Sequence, residues 1–317
     1  MDNKIAYHHY LKNQNLPIFF QDWWLDATAG PENWEVLLNF DKNEAITSIW
    51  AFSISKRWGN KIITNPILTP FLGVWLNYPK DISAAKKIDF EESELEKLIS
   101  KLPKVAFIQC GFEVKFTNWQ PFYWAGFEQT TIYTYIFEKG FSLEEVWENM
   151  NPKVRTLINK GKKELHIEVS NDVELMYQLL EDTFKKQNQK FPMTLLQLKN
   201  LYNAIISNKS GKMFIAKGSD NQLYGMELII FDEYSVYNLL SVINLKFPHQ
   251  STSRALLWRG IQYAHENNLA YNFEGSMIKN VNQIYSSFGA KQVPYFLIRK
   301  SNNKWVETAR IWLKKRL

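Results

Sequence analysis

Phe122-Tyr123-Trp124-Ala125-Gly126-Phe127-Glu128-Gln129-Thr130-Thr131-Ile132-Tyr133 has a counterpart about half a chain later, in Tyr285-Ser286-Ser287-Phe288-Gly289-Ala290-Lys291-Gln292-Val293-Pro294-Tyr295-Phe296. An aromatic residue, a glycine, a glutamine and a second aromatic recur at matching places. In each copy a helical stretch runs into glycine and then into a β-branched or aromatic run. That order is a helix closed by a glycine C-cap and followed by a strand. A Phe-Glu pair precedes each copy, Phe112-Glu113 and Phe273-Glu274. The shared order of strand, Phe-Glu, helix, glycine and strand predicts a duplicated fold. A chain of 317 residues has room for about two domains.

The rest of the pattern fits around these two anchors. Pro17 to Ala29 reads as a helix stopped by Gly30-Pro31. Trp34 to Phe40 and Ala45 to Ile54 read as a strand pair around Asp41-Lys42-Asn43-Glu44. Residues 59–81 read as loop, broken by Pro66, Pro70, Gly73 and Pro79. Glu91 to Leu102 reads as an acidic helix, Val105 to Cys110 as a buried strand and Glu128 to Glu138 as another strand. Ser142 with Glu145 has the capping-box pattern, and a basic helix follows from Lys153 to Lys163. Leu165 to Val169 is then a strand, and Asp172 to Asn188 and Thr194 to Ser207 are helices. Met213 to Ala216, Tyr224 to Phe231 and Tyr234 to Val242 form a meander. A helix from Ser251 to about Asn267, a strand at Ala270 to Phe273, a helix at Asn280 to Phe288 and a strand at Val293 to Ile298 follow. A basic helix ends the chain.

Composition narrows the class. Apolar residues make up 45% and charged residues 22%, values of a globular protein rather than a disordered or collagen-like one. The single cysteine, Cys110, excludes an intramolecular disulfide framework. It sits in the apolar run Val105 to Cys110, which reads as a buried, inert thiol. The start, with His8-His9, has no apolar core of a secretory signal and reads as a solvated segment. No run reaches the length of a transmembrane span, so the cytoplasm is the expected compartment. No metal is expected. The net charge of +6 hides an asymmetry. Residues 1–150 hold 14 Lys and Arg against 19 Asp and Glu, and residues 151–317 carry the compensating excess of 24 basic over 13 acidic. The two halves face different partners, or only one faces a polyanion.

Three segments carry candidate chemistry. In Val242 to Arg259 a strand ends, a loop follows, and a helix opens on Ser251-Thr252-Ser253-Arg254. A helix start with free N–H groups suits phosphate or carboxylate; hydroxyl residues there also serve as ordinary N-caps. In Tyr271 to Lys279, Glu274 stands at the C-terminal end of a strand, a common position for an acid or base. It also reads as a helix cap or as a partner for Lys279. In Asn151 to Lys163, Val154, Leu157 and Ile158 share one helix face and the cations the other. That face is a phosphate-binding ridge or a solvated surface.

Taken together, these segments resemble the FemAB-like branch of the GNAT acyltransferase superfamily, the bacterial peptidoglycan-bridge and methicillin-resistance-type proteins. The motifs are Asn151-Pro152-Lys153-Val154-Arg155, Ser251-Thr252-Ser253-Arg254-Ala255-Leu256-Leu257-Trp258-Arg259-Gly260 and Asn272-Phe273-Glu274-Gly275-Ser276-Met277. Trp23-Trp24-Leu25-Asp26 and Thr69-Pro70-Phe71-Leu72-Gly73 add weaker similarity in the first half. The resemblance implies an α+β fold of two tandem GNAT-like domains, each a mixed, mostly antiparallel sheet flanked by helices. Residues 1–140 would form the acidic, acceptor-side domain and residues 141–317 the basic, donor-side domain. It implies acyl or aminoacyl transfer to an amine, of a cell-wall precursor or a small metabolite.

By position, the resemblance places the donor along Leu240, Ser241 and Val242 and at Gln250, Ser251, Thr252, Ser253 and Arg254. Gln250 to Ala255 lacks both glycines of the usual pyrophosphate loop. Acyl-CoA, with acetyl-CoA the simplest case, and aminoacyl-tRNA therefore both stand as donors, the latter suiting the basic half. No heptad run for a tRNA-binding arm is present. Transfer needs a proton acceptor, for which Glu274 and the mid-strand Glu227 are the candidates. It needs a backbone N–H near Ser241–Val242 for the oxyanion, and Tyr237 or Tyr285 to return a proton. Arg155, Lys160 and Lys279 are candidate anion or acceptor contacts. Two other classes remain: a non-catalytic protein holding an anionic ligand in an inter-domain cleft, and an RNA-binding protein. A thermal-shift response to acyl-CoA separates the enzyme from the binder, and a steep loss of affinity with salt marks the RNA binder.

Overall fold

The computed structural model describes residues 2–57, 59–275 and 277–303. Contacts divide the chain into two compact units, Met1–Ile132 with Pro294–Leu317, and Tyr133–Val293. The expected basic helix at the chain end lies outside the described residues, and so does Ser276.

In the first unit, α1 (Asn3–Leu11) is capped by the Asp2 carboxylate and buries Ala6 and Tyr7. The start is helical, with His8 and His9 exposed to solvent as expected, and His8 contacts Asp22. The expected helix over Pro17 to Ala29 is interrupted. A 3₁₀ turn at Ile18–Phe20 ends at the extended Gln21, and only α2 (Asp22–Ala29) is α-helical. Burying Ile18, Phe19 and Phe20 together needs the tighter turn.

Strands β1 (Trp34–Phe40) and β2 (Ile46–Arg57) form an antiparallel pair. β3 (Asn60–Thr64) and β4 (Gly73–Leu76) both pair with β2, within the stretch expected to be loop. Each is short; Pro66 and Pro70 lie between them and Pro79 follows β4. Helix α3 (Ala84–Ser100), β5 (Phe107–Gly111), α4 (Gln120–Trp124) and β6 (Glu128–Phe137) follow.

The second unit takes up β6 from Tyr133 and continues with α5 (Leu143–Asn149) and α6 (Pro152–Glu164), where Pro152 is the first helical residue. The remaining order is β7 (Leu165–Ser170), α7 (Val173–Lys186), α8 (Leu195–Ser207), β8 (Gly211–Gly218), β9 (Leu223–Phe231), β10 (Ser235–Ile243), α9 (Thr252–Glu266), β11 (Ala270–Asn272), α10 (Lys279–Ser286) and β12 (Lys291–Ser301), which from Pro294 belongs to the first unit.

Pairing confirms the duplication. In the first unit β1, β2 and β3 are successively antiparallel, β3 runs parallel to β5, and β5 pairs antiparallel with β12. In the second, β8, β9 and β10 are successively antiparallel, β10 runs parallel to β11, and β11 pairs antiparallel with β6. The strand that follows the glycine in one copy thus completes the sheet of the other. Gly126 and Gly289 have φ of +78° and +81°, as a left-handed C-cap requires. The aromatic pair before each glycine also matches: Phe112 meets Phe122 at 5.2 Å between ring centroids, and Phe273 meets Tyr285 at 5.0 Å.

The first core gathers Trp50, Phe52, Phe112 and Phe122 with α3 residues Leu95 and Leu98. The second places Leu256, Leu257, Ile261 and Ala264 of α9 over Phe214, Ile229 and Val236 of the sheet. Helix α6 crosses α9 at Gly161, where an added Cβ would sit 2.9 Å from Ala255 Cβ and 3.4 Å from Ser251 Cβ. Gly161→Leu should force the helices apart and cost about 1–3 kcal/mol. Urea denaturation of the variant tests this, and an unchanged midpoint would contradict the close crossing.

Candidate active site in the second unit

A strand register and a bulge build the site. β10 pairs with β11 only over Ser235, Val236 and Tyr237, while its pairing with β9 continues to Ile243. Beyond Tyr237 one edge of β10 is therefore open on the β11 side. The register with β9 shifts between Asn238 and Leu240. A bulge there re-aims the strand. Asn238 and Ser241 consequently point with Ile229 and Glu227, their partners on β9, towards the sheet face covered by α9. Tyr237 pairs with Ile230 and points to the opposite face.

Beneath α9 this face holds a buried polar cluster. Glu227, fully buried between Met226 and Leu228, has no hydrogen-bond partner for either carboxyl oxygen among the described residues. Burial pushes its pKa up to about 8, against a smaller opposing pull from the Arg259 guanidinium. A Cβ on Gly260 of α9 would lie 3.0 Å from the Tyr271 ring and hydroxyl and 3.3 Å from Glu227 Oε2. Glycine at that position lets both side chains reach the helix. Burial, followed by the charge of Glu227, holds the Tyr271 hydroxyl protonated, and its oxygen is unpartnered among the described residues.

Glu274 follows β11 with a left-handed φ of +59°. Its backbone N–H donates to Asn272 Oδ1 at 2.9 Å, and Thr134 Oγ1 donates to the same oxygen at 2.6 Å. Burial raises the Glu274 carboxyl well above the carboxylate range, and its Oε1 has no partner among the described residues. The N-cap of α10 is Ile278, so Glu274 is not the helix cap, and Lys279 is exposed. Tyr285 accepts a hydrogen bond from Asn238 Nδ2 at 3.3 Å. Burial raises its pKa, helped by the charges of Glu274 and Glu227. The equivalent Glu113 of the first unit is half-buried like Glu274, but it accepts the Lys115 amide at 2.7 Å.

The structure thus brings Glu227, Glu274 and Tyr285 into one electrostatic neighbourhood. Tyr237 lies elsewhere, its hydroxyl donating to Asp232 at 3.4 Å. Two members, Tyr271 and Asn238, were not picked out from sequence. Asn238 carried the same signal as Glu227, a polar residue inside an apolar strand.

The helix start is mixed. Leu240 and Val242 are buried and Ser241 is exposed on the open edge of β10. Ser251 and Thr252 are fully buried, and their amides donate to His249, Ser251 to Nδ1 at 3.3 Å and Thr252 to the carbonyl at 3.2 Å. The Thr252 methyl packs against Gly225 and the Ser251 side chain against Gly161. His249 is itself anchored to Glu164 at 2.8 Å. Gln250 is exposed, and Ser253 and Arg254 are half-buried, with Arg254 Nη1 donating to Ser253 Oγ at 2.8 Å. Burial lowers the Arg254 pKa, and its Nε is unpartnered among the described residues.

On the basic helix, Arg155 donates to the Trp147 and Glu148 carbonyls at 3.1 and 3.2 Å and closes the C-terminus of α5. Lys160 reaches Glu164 at 3.9 Å. Cys110 is buried and burial pushes its thiol up, as its apolar run implied. No helix among the described residues is long and apolar enough to cross a membrane.

No protein-family model and no curated protein sequence matches the chain. Solved structures do. FemX superposes with a TM-score of 0.65 at 11% identity, over 93% of this chain and 96% of FemX. The C-terminal domain (DUF2156) assigned to a lysylphosphatidylglycerol synthetase of Agrobacterium fabrum gives 0.56 at 11%, over 94% and 92%. A tandem GNAT protein from the clavulanic acid biosynthesis pathway gives 0.50 at 7%, over 91% and 98%. These likenesses show the fold: a tandem GNAT-like fold of the kind seen in FemX and the tandem GNAT protein, as the motifs implied. Among the described residues this fold consists of mixed, mostly antiparallel sheets flanked by helices.

Proposed function

We propose that the protein is an N-acyltransferase or aminoacyltransferase that moves an acyl group from acyl-CoA or aminoacyl-tRNA to an amine of a cell-wall precursor or small metabolite. The observation carrying this reading is the open edge of β10 above the fully buried Glu227 and Tyr271 with the half-buried Glu274 and Tyr285 beside them. An open strand edge offers backbone groups for an extended donor arm and for an oxyanion, with Ser241 and Val242 at that edge. A carboxyl tuned to about 8 is matched to taking a proton from an amine near neutral pH. Glu227 and Glu274 are the candidate acceptors. Tyr285, hydrogen-bonded to Asn238 and in the field of both carboxyls, is better placed than Tyr237 to return a proton to the leaving group.

The donor's phosphates would meet Gln250, Ser253 and Arg254 through side chains, while Ser251 and Thr252 shape the helix start from inside. Arg155, Lys160 and Lys279 are assigned the outer anion or acceptor contacts. On this reading residues 141–317 are the basic donor side, residues 1–140 the acidic acceptor side, and the compartment is cytoplasmic. The neighbours FemX and the lysylphosphatidylglycerol synthetase domain favour a cell-wall precursor or lipid-linked amine chemistry over a protein substrate.

Native mass spectrometry with acetyl-CoA, longer acyl-CoAs and charged tRNA is expected to show one retained donor. With that donor, Glu227→Gln and Glu274→Gln should each lower turnover about 10²- to 10⁴-fold if both carboxyls serve the proton. Full turnover in both variants overturns the assignment, and retention of none of these donors overturns the reading.

A further inference from the structure

Phe273-Glu274 in the second copy answers Phe112-Glu113 in the first, and the two turns differ in one respect. They agree up to the phenylalanine, whose N–H donates to the Tyr135 carbonyl at 3.0 Å in the second copy and to the Phe296 carbonyl at 2.8 Å in the first. They part at the glutamate. In the first copy the chain stays with the sheet. The Glu113 N–H donates to the Leu72 carbonyl at 3.1 Å, beside a parallel bridge between Leu72 and Phe112, and Glu113 is not left-handed. The residue two before it is Gly111, where a Cβ would press into the Pro70 carbonyl oxygen.

In the second copy β10 and β11 pair only as far as Tyr237 and Asn272, so the glutamate meets no ladder there. Asn272 stands in the place of Gly111. Its Oδ1 accepts the Glu274 N–H at 2.9 Å, a local side-chain bond in place of a strand bond. The same oxygen accepts a hydrogen bond at 2.6 Å from Thr134 Oγ1 of β6, the strand on the other side of β11. Thr134 is fully buried and Asn272 is 4% exposed, so water has little access to either bond. The turn they hold is strained. Glu274 has a φ of +59°, and a left-handed residue other than glycine costs about 1–2 kcal/mol. Such strain persists where neighbours over-determine it, and it gathers at functional sites.

We propose that Asn272 and Thr134 are positioning residues: by holding the Glu274 N–H they keep its backbone left-handed and so set where its carboxyl lies. Thr134 fixes the orientation of the Asn272 amide, and Asn272 fixes the turn. The proposal rests on the reading of Glu274 as a proton acceptor in acyl transfer, and neither positioning side chain is assigned a contact with a reacting atom. The first copy, with glycine in place of Asn272, has neither the left-handed glutamate nor a carboxyl oxygen both buried and unpartnered, as Glu274 Oε1 is among the described residues.

The Glu274 carboxyl can be followed by ¹³C titration of the full chain labelled at glutamate, with its signal assigned by Glu274→Gln. Asn272→Gly restores the residue of the first copy, and Thr134→Val removes the hydroxyl at nearly constant volume. In each, the Glu274 midpoint should fall by at least about one pH unit towards the ordinary carboxylate range as the carboxyl leaves its place. Tyr271, Tyr285 and Glu227, the titratable groups that share its field, are the same in every variant. Thr134→Ser, which keeps the hydroxyl, should titrate as the parent does. With the donor that the parent retains, Asn272→Gly and Thr134→Val should lower kcat at least about tenfold and leave the donor KM within about twofold, while Thr134→Ser restores kcat. An unmoved midpoint in both variants overturns the clamp, and a moved midpoint with full kcat overturns its part in transfer. If no donor is turned over, the acyltransfer reading falls and the titration alone decides the clamp.

Discussion

Gly275→Ala should destabilise the protein by about 3 kcal/mol or more. Gly275 has a φ of +67° and directly follows Glu274 at +59°, so two consecutive residues are left-handed. An L side chain in that region costs about 1–2 kcal/mol. At Gly275 a Cβ would also press into the Tyr133 carbonyl oxygen and lie 2.8 Å from Thr134 Cα. Both belong to β6, which is tied to this turn. Phe273 donates its N–H to the Tyr135 carbonyl at 3.0 Å, and Thr134 donates to Asn272 Oδ1. Backbone cannot step aside as a flexible side chain does, so overpacking adds about 1–3 kcal/mol. Gly126→Ala is the comparison. Its φ is +78°, but nothing lies within 4 Å of the added carbon. It should cost only the conformational part, about 1–2 kcal/mol. Denaturant unfolding of both variants decides the matter, and equal losses would contradict the close packing of the turn on β6. The same substitution moves the backbone that holds the Glu274 carboxyl, so donor-dependent turnover should fall with stability.

The duplication was legible because its signals are stereochemical. Gly126 and Gly289 stand where a helix must reverse into a strand, and a left-handed φ leaves few alternatives to glycine. β3 and β4 were not legible. Asn60 to Thr64 and Gly73 to Leu76 are only five and four residues long, too short to register a period, and the neighbouring Pro66, Pro70 and Gly73 announce loop. The first helix was hidden similarly. Asp2 is a good N-cap, but only Ala6 and Tyr7 are buried, so its apolar stripe is too thin to register as a period. In the site, Glu227 was visible because a carboxylate between Met226 and Leu228 is expensive unless used. Tyr271 was invisible because tyrosine is ordinary in strands, and its unpartnered hydroxyl is a fact of packing. Ser251 and Thr252 mark a helix start in any reading. Whether they face a ligand or the interior depends on Gly161 and Gly225, distant in sequence and glycine for the sake of that contact.

Glu227→Gln should remove a pH dependence that the parent protein carries. The Glu227 carboxyl rises from 4.5 in an unfolded chain to about 8 in the folded one. For an acid whose folded pKa is raised, the folded state holds its proton where the unfolded state has released it. Stability is therefore greatest below about 4.5, falls as pH rises, and levels off above about 8. At about 1.4 kcal/mol per pH unit, the accumulated loss by pH 8 is on the order of 4–5 kcal/mol. Glutamine has no charge to bury, so the variant lacks this loss. The other buried carboxyl, Glu274, is present in both proteins, and its contribution largely cancels in the difference. Unfolding free energies measured at intervals from pH 5 to 9 should show the variant gaining on the parent up to about pH 8 and then running parallel. A difference independent of pH would mean that Glu227 does not titrate while buried. The catalytic prediction runs the other way. A proton acceptor must be ionised, so parental turnover should climb over the same interval in which parental stability falls. A carboxyl that weakens the fold in the ionised form its chemistry needs, with both oxygens unpartnered among the described residues, is difficult to explain by packing alone. The opposing trends of stability and turnover are the signature that would separate a working base from a structural glutamic acid.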